Sequence, residues 1–306
     1  MSGPNHYTLA DLHRWQEIAP TLDPVAKFAV IGDPIAHSRS PQIHNPALAA
    51  RGMHAQYVRV QVVPGKVKEA MALFAHHGFI GVNCTIPHKF EALECMDEVD
   101  PLAQRLGAVN TVHLHEGRLT GYNSDGPGFL RSVEEAFGRS VRDLRVLVIG
   151  AGGGAGRAVA VQSALEQCPK LVLVNRTVEK VTALEKECRD LSPSTEVSSI
   201  LWTDATLRSV LPEINLVVNA TPRGMKDGDE ALFDPGLVTK DHLVYDMVYR
   251  AGSATPLIAA AKAAGAKTCD GLVLLLHQGA ISFGHWLGGP VPLEAMRQGL
   301  GGNPPG

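Results

Sequence analysis

The stretch RVLVIGAGGGAGRAVAVQSAL, residues 145–165, decides how the chain is read. VLVIG (146–150) is a compact apolar strand that runs straight into a glycine cluster, and 155–165 has the composition of a helix. Gly150-x-Gly152 follows the strand at once, with Ala155 or Gly156 offered as the third small residue. The first glycine permits the tight turn, and the second lets a pyrophosphate approach the backbone. The helix start then presents free N–H groups and a positive dipole end to the phosphates. In a strand–turn–helix setting this spacing predicts dinucleotide binding.

The next strand, 171–175, decides which dinucleotide. A carboxylate at its end would accept hydrogen bonds from a ribose 2′-hydroxyl. Here the end is Asn175, followed by Arg176 and Thr177, with Lys180 one turn on. A guanidinium pairs with a 2′-phosphate through its planar fork, whereas a carboxylate repels it. NADP is therefore expected, with NAD possible.

On either side of this stretch, strands alternate with helices along the chain. Strands are expected at 28–31, 55–63, 81–86, 216–221, 242–248 and 266–270. Helices are expected after Pro41 to about Gly52, over 66–77, from Thr177 to about Cys188, and in the long apolar stretch after Gly271. Such alternation indicates α/β units around mostly parallel sheets. The 306 residues suggest two domains. A helix at 129–143 carries the chain between them. The expected division is 1–128 with 271–306 as a substrate domain, and 129–270 as a Rossmann-type domain.

Composition bounds the rest. Apolar residues make up 45% and charged ones 19%, with a net charge of −3. That gives ample core and no basic excess for a nucleic-acid partner. No apolar run approaches the roughly 18 residues of a membrane span. The first 24 residues hold Asp11, Glu17 and Asp23 and no continuous apolar stretch. They read as a short amphipathic addition rather than a secretory signal. Five scattered cysteines without C-x-x-C spacing suggest neither disulfides nor a thiolate metal site, and fit a reducing cytoplasm. Thirteen histidines raise a metal hypothesis, but His76-His77 and the pair His113 and His115 lack a third ligand nearby. No metal is expected. Nothing in the sequence separates a monomer from a homodimer.

The first half holds three short constellations. In Gly32-Asp33-Pro34-Ile35-Ala36-His37-Ser38-Arg39-Ser40-Pro41, Pro41 biases Ser40 to an extended conformation. Period two then points the Ser38 and Ser40 hydroxyls the same way, as a carboxylate site would need. In Val82-Asn83-Cys84-Thr85-Ile86-Pro87-His88-Lys89, proline ends a strand and opens a helix, leaving Lys89 near its positive end. The third constellation is Asn110-Thr111 followed by Gly121-Tyr122-Asn123-Ser124-Asp125-Gly126.

Together with the glycine loop, Asn175-Arg176-Thr177, Asn219-Ala220-Thr221-Pro222 and Gly271…Gln278, these motifs resemble the shikimate/quinate dehydrogenase family over residues 28–287. The resemblance implies two α/β domains, substrate bound in the cleft between them, and a last long helix that returns to the N-terminal half. It implies NADP-dependent interconversion of 3-dehydroshikimate and shikimate in the shikimate pathway. Lys89 and Asp125 would be the catalytic pair, and Ser38 and Ser40 would hold the carboxylate. Thr85, Asn110 and Gln278 would contact ring hydroxyls, with Tyr249 bordering the pocket. The cofactor would meet Gly150, Ala151, Gly152, Gly153, Gly154 and Ala155, with Asn175, Arg176, Thr177 and Lys180 at the adenosine end. Thr221, Met247 and Gly271 would complete that site.

The sequence departs from the family pattern at Ser124, where threonine is expected, and at Pro222, where serine is commoner. The glycine loop is one residue longer, Val273-Leu274-Leu275 alters the start of the last helix, and the N-terminal addition has no counterpart. Two other functions remain open: a quinate or related ring-acid dehydrogenase using NAD or NADP, and a non-catalytic NADP-binding sensor.

Overall fold

The computed structural model describes residues 6–250 and 253–301, so of the terminal GGNPPG tract only Gly301 is included. The chain forms two compact units. One ends at Ser124 and takes up the chain again from Gln278; the other is Asp125–His277.

The first unit opens with β1 (His6–Thr8), α1 (Leu9–His13) and α2 (Trp15–Ile18). β2 (Val25–Gly32), α3 (Ser40–Ala50), β3 (Ala55–Gln61), α4 (Val67–His76) and β4 (Gly81–Cys84) follow. After α5 (Lys89–Glu94), β5 (Glu98–Val99) and α6 (Pro101–Leu106), the hairpin of β6 (Thr111–His115) and β7 (Arg118–Tyr122) completes the sheet. Its order is β1-β3-β2-β4-β6-β7-β5. β1 to β4 run parallel, whereas β6 is antiparallel to both β4 and β7.

The segment expected to be only an amphipathic addition therefore supplies an edge strand. Thr8 and Asp11 form a reciprocal cap on α1. Tyr7, Leu12 and Trp15 then join the core with Val58, Val60 and Phe74.

The second unit begins with α7 (Asp125–Phe137), which starts four residues earlier than expected and stops before Gly138. β8 (Arg145–Ile149), α8 (Gly154–Leu165), β9 (Lys170–Asn175), α9 (Glu179–Leu191), β10 (Glu196–Leu201) and α10 (Asp204–Val210) follow. Then come β11 (Leu216–Asn219), β12 (Leu243–Asp246), α11 (Pro256–Ala263) and β13 (Lys267–Cys269). The sheet is wholly parallel in the order β10-β9-β8-β11-β12-β13, the doubly wound pattern whose direction reverses beside the first strand. Val146 to Ile149 and Leu171 to Val174 are all fully buried, as strands covered by helices on both faces should be.

α12 (Gly271–Leu287) is the long apolar helix, and α13 (Leu293–Gly299) packs on α3 within the first unit. Gly279 makes the approach of α12 to α3 possible, since a Cβ there would run into Ile43. Among the described residues no helix is long and apolar enough to cross a membrane.

Candidate functional site

In the first unit the candidate residues collect at one edge of the sheet. β2 and β4 are parallel neighbours, so the segments after Gly32 and Cys84 leave the same end. The two segments touch: Asp33 N–H donates to the Ile86 carbonyl at 3.1 Å, and a Cβ on Gly32 would lie 2.7 Å from Thr85 Cγ2. Antiparallel β6 begins at this edge, and Cys84 N–H donates to the Asn110 carbonyl at 2.9 Å.

Ser38 and Ser40 do come together, but not as an extended pair. Ser40 is the first residue of α3, with Pro41 in the first turn, where its missing N–H costs no helical bond. The hydroxyls meet because the chain turns: Ser38 Oγ accepts from Ser40 N–H at 3.3 Å and lies 3.2 Å from Ser40 Oγ. Arg59 Nε fixes the turn by donating to the Ser38 carbonyl at 2.7 Å.

Lys89 is the first residue of α5 and half-buried. His88, wholly buried, ties the helix start to the Val62 carbonyl at 2.6 Å. Glu91, in the first turn, accepts from Gly65 N–H and Val67 N–H at 3.0 and 2.9 Å, which locks α5 to the start of α4. Cys84 stays a neutral thiol, because burial pushes it up despite the nearby Lys89 charge.

Behind these groups lies a buried polar knot that the sequence did not reveal. Asn83 Nδ2 donates to the Asn110 carbonyl at 3.0 Å and lies 3.0 Å from Ser282 Oγ. Its Oδ1 therefore faces Tyr57, whose hydroxyl donates to it at 2.8 Å. Thr111 and Ser282 hydroxyls are 2.7 Å apart, and Ser124 Oγ is 3.1 Å from Ser282 and 3.4 Å from Gln278 Oε1. Asn110 and Gln278 are thus held by neighbours drawn from β4, β6, α12 and the end of β7. His44 closes the back, stacked on Tyr57 at 4.4 Å. Burial lowers its imidazole to about 3, so it is neutral.

In the second unit the glycine turn has the expected form. Gly150 has φ +85°, a left-handed conformation that favours glycine. Gly153 caps α8, which begins at Gly154 with Ala155 next. The third small residue is Gly156: a Cβ there would collide with the Gly150 carbonyl and sit 2.8 Å from Ala151 Cα. The longer loop moves the helix–strand contact one residue on. Ala151 is wholly buried. Around the turn lies a cleft of about 700 Å³ lined by Gly150, Gly152, Asn175, Arg176, Lys180 and Thr221, among others. Thr177 also lines it, and its carbonyl accepts from Asn175 Nδ2 at 2.8 Å.

These residues fit a dinucleotide. The turn exists only with glycine, and the first N–H groups of α8 lack intrahelical acceptors, as at any helix start. Among the cleft residues that sequence reasoning missed are Trp202, Arg223 and Lys226. Thr221 is set by Asn219, whose Oδ1 accepts its N–H and hydroxyl at 3.0 and 2.7 Å. Asn219 Nδ2 in turn donates to Asp246 Oδ1 at 2.8 Å. Burial raises the Asp246 carboxyl to about 6, against the bonds from Thr255, Val248 N–H and Asn219.

Met247, Tyr249 and Gly271 gather beyond β12. A Cβ on Gly271 would strike the Met247 carbonyl and come 3.1 Å from the Tyr249 ring. Tyr249 lines a smaller hollow of about 250 Å³ with Arg250, Thr255 and Asp270. Asp125 is the first residue of α7 and is buried. Among the described residues no group of three or more His, Cys, Asp or Glu side chains is placed to hold a metal.

The chain matches the family model of the shikimate dehydrogenase substrate binding domain over residues 30–112 and that of shikimate/quinate 5-dehydrogenase over 131–223. It is 40% identical to a shikimate dehydrogenase (NADP(+)) of Symbiobacterium thermophilum, over 88% of this chain and 92% of that protein. Its fold is similar to that of shikimate 5-dehydrogenase from Thermus thermophilus in complex with NADP(H) and shikimate. The TM-score is 0.78 and the identity 35%, covering 89% of this chain and 97% of that one. Quinate dehydrogenase from Corynebacterium glutamicum, in complex with NAD, gives a TM-score of 0.80 at 32% identity, over 89% and 97% of the two chains. The chain belongs to the shikimate/quinate dehydrogenase family.

Proposed function

We propose that this chain is an NADP-dependent oxidoreductase that interconverts 3-dehydroshikimate and shikimate. The observation that carries the proposal is the grouping, at one sheet edge, of two adjacent serine hydroxyls, an amide set by a buried polar knot and a half-buried lysine. Family membership supports the same reading.

Ser38 and Ser40 hold the ring carboxylate, Thr85, Asn110 and Gln278 bind the ring hydroxyls, and Tyr249 borders the substrate. Lys89 and Asp125 form the catalytic pair. NADPH, when bound, supplies the hydride for reduction. Lys89 gives its ammonium proton to the carbonyl oxygen as that oxygen becomes an alcohol, and takes it back in oxidation. Asp125 orients the ammonium and accepts a ring hydroxyl.

The pyrophosphate rests on the turn from Gly150 to Ala155. Asn175, Arg176, Thr177 and Lys180 take the adenosine end, and Thr221, Met247 and Gly271 border the nicotinamide. The absence of a carboxylate at the end of β9 supports NADP. All five cysteines are free, which supports a reducing cytoplasm.

Turnover of shikimate and quinate, each with NADP and NAD, tests the assignment in one assay. The highest kcat/KM is expected for shikimate with NADP. A higher value for quinate with NAD would replace it with the quinate assignment, and binding without turnover would make the chain a sensor.

A further inference from the structure

The cofactor cleft holds one large aromatic side chain that the family reading leaves without a role. Trp202 follows β10, whose last residue, Leu201, pairs with Asn175 in the parallel register. Trp202 N–H extends the ladder by donating to the Asn175 carbonyl at 3.0 Å. Trp202 and Arg176 therefore leave neighbouring strands at the same carboxyl edge, one step beyond a matched pair.

The indole is fixed at its other side, where Nε1–H donates to the Leu232 carbonyl at 3.2 Å. Its body packs against the core that includes Ile149, Val174 and Leu232. A ring so held offers a stationary face. Arg176 lays its guanidinium over that face, with Cζ 5.3 Å from the ring centroid. That distance lies within the range where a cation is attracted by the negative face of an indole.

We propose that Trp202 is a positioning residue for NADP selection, holding the Arg176 guanidinium where it meets the ribose 2′-phosphate. The inference rests on the proposed role of Arg176. A free arginine has many rotamers to lose on binding, and stacking removes most of them beforehand. Stacking occupies only the ring-facing side of the guanidinium. Its N–H donors lie in the guanidinium plane and point outward, so they stay available to phosphate oxygens. Of the other cleft cations, Arg223 pairs with Glu230 at 2.8 Å, and Lys180 and Lys226 are point charges without a fork.

The experiment measures KM for NADPH and NADH in the whole protein for Trp202→Ala, Trp202→Phe, Arg176→Ala and the double variant Trp202→Ala/Arg176→Ala. Trp202→Ala should raise KM for NADPH about 3- to 10-fold, the scale of a partly desolvated cation–π contact. KM for NADH and for the ring substrate should stay within about twofold. Trp202→Phe, which keeps a π face, should recover most of the loss, and Trp202→Ala should add nothing once Arg176 is alanine.

Equal loss with both cofactors would overturn the proposal, because the ring would then serve the shared adenosine or the fold. Additive losses in the double variant would overturn it too. If Arg176→Ala leaves the NADPH preference intact, the underlying NADP assignment fails. If Arg176→Ala abolishes the preference and Trp202→Ala does not touch it, only the present inference fails.

Discussion

Ser124 and Asn110 hold each other from both sides: Ser124 N–H donates to Asn110 Oδ1 at 2.8 Å, and Asn110 Nδ2 donates back to Ser124 Oγ at 3.0 Å. The exchange fixes which end of the Asn110 amide faces which neighbour. Ser124 is wholly buried, so no water replaces its hydroxyl.

Ser124→Ala should therefore cost about 1–3 kcal/mol of stability, the usual penalty for stranding buried polar partners. It should raise KM for the ring substrate and leave KM for NADPH unchanged. Thermal unfolding and a two-substrate kinetic analysis check both halves. An unchanged substrate KM would mean that the knot only supports the fold.

Gly156→Ala tests the glycine turn. The added Cβ meets the Gly150 carbonyl, which belongs to backbone and cannot swing aside. NADPH affinity should fall at least about tenfold, with overpacking costing on the order of 1–3 kcal/mol. Fluorescence titration with NADPH measures it. Wild-type affinity would show that α8 does not set the phosphate site.

His44 makes the first unit acid-sensitive. Its imidazole is lowered to about 3 by burial, whereas an unfolded histidine takes its proton near ~6.5. The unfolded state thus binds the extra proton, and stability falls as pH drops from ~6.5 toward 3. The loss is on the order of 4 kcal/mol. His44→Phe should flatten that limb in acid unfolding followed by circular dichroism, and an unaltered slope would refute the assignment.

Asp246 acts in the opposite sense. Its carboxyl is raised to about 6 in the fold, against ~3.9 when unfolded, so the native state holds the extra proton between those values. Stability then falls as pH rises from about 4 to 6, by on the order of 2–3 kcal/mol, and is level above. Asp246→Asn should abolish that decline. A variant with the wild-type profile would show the group to be ionised normally.

Much of this was legible in the sequence because it rests on local chemistry. VLVIG with its glycines marks β8 and the turn, and Asn175-Arg176 sits at a strand end that periodicity alone locates. The third glycine was ambiguous, since only the packed backbone shows that Gly156, not Ala155, faces the Gly150 carbonyl. β10 escaped notice because EVSSIL, with Glu196, Ser198 and Ser199, is polar for a strand, and with it went Trp202. Ser40 was misjudged because the restriction before proline competes with a favourable helix start, and the helix prevailed. The polar knot was out of reach for a different reason. Ser282 lies 171 residues from Thr111, and only tertiary packing brings the two hydroxyls together.

In the proposed reaction Lys89 moves the proton. Steady-state kinetics of Lys89→Ala, with NADPH and 3-dehydroshikimate both saturating, tests it most directly. A fall in kcat of about 10²–10⁴ is predicted, the scale for losing a general acid, with a smaller change in KM. A kcat within about threefold of the unaltered protein, far short of that scale, would contradict the account.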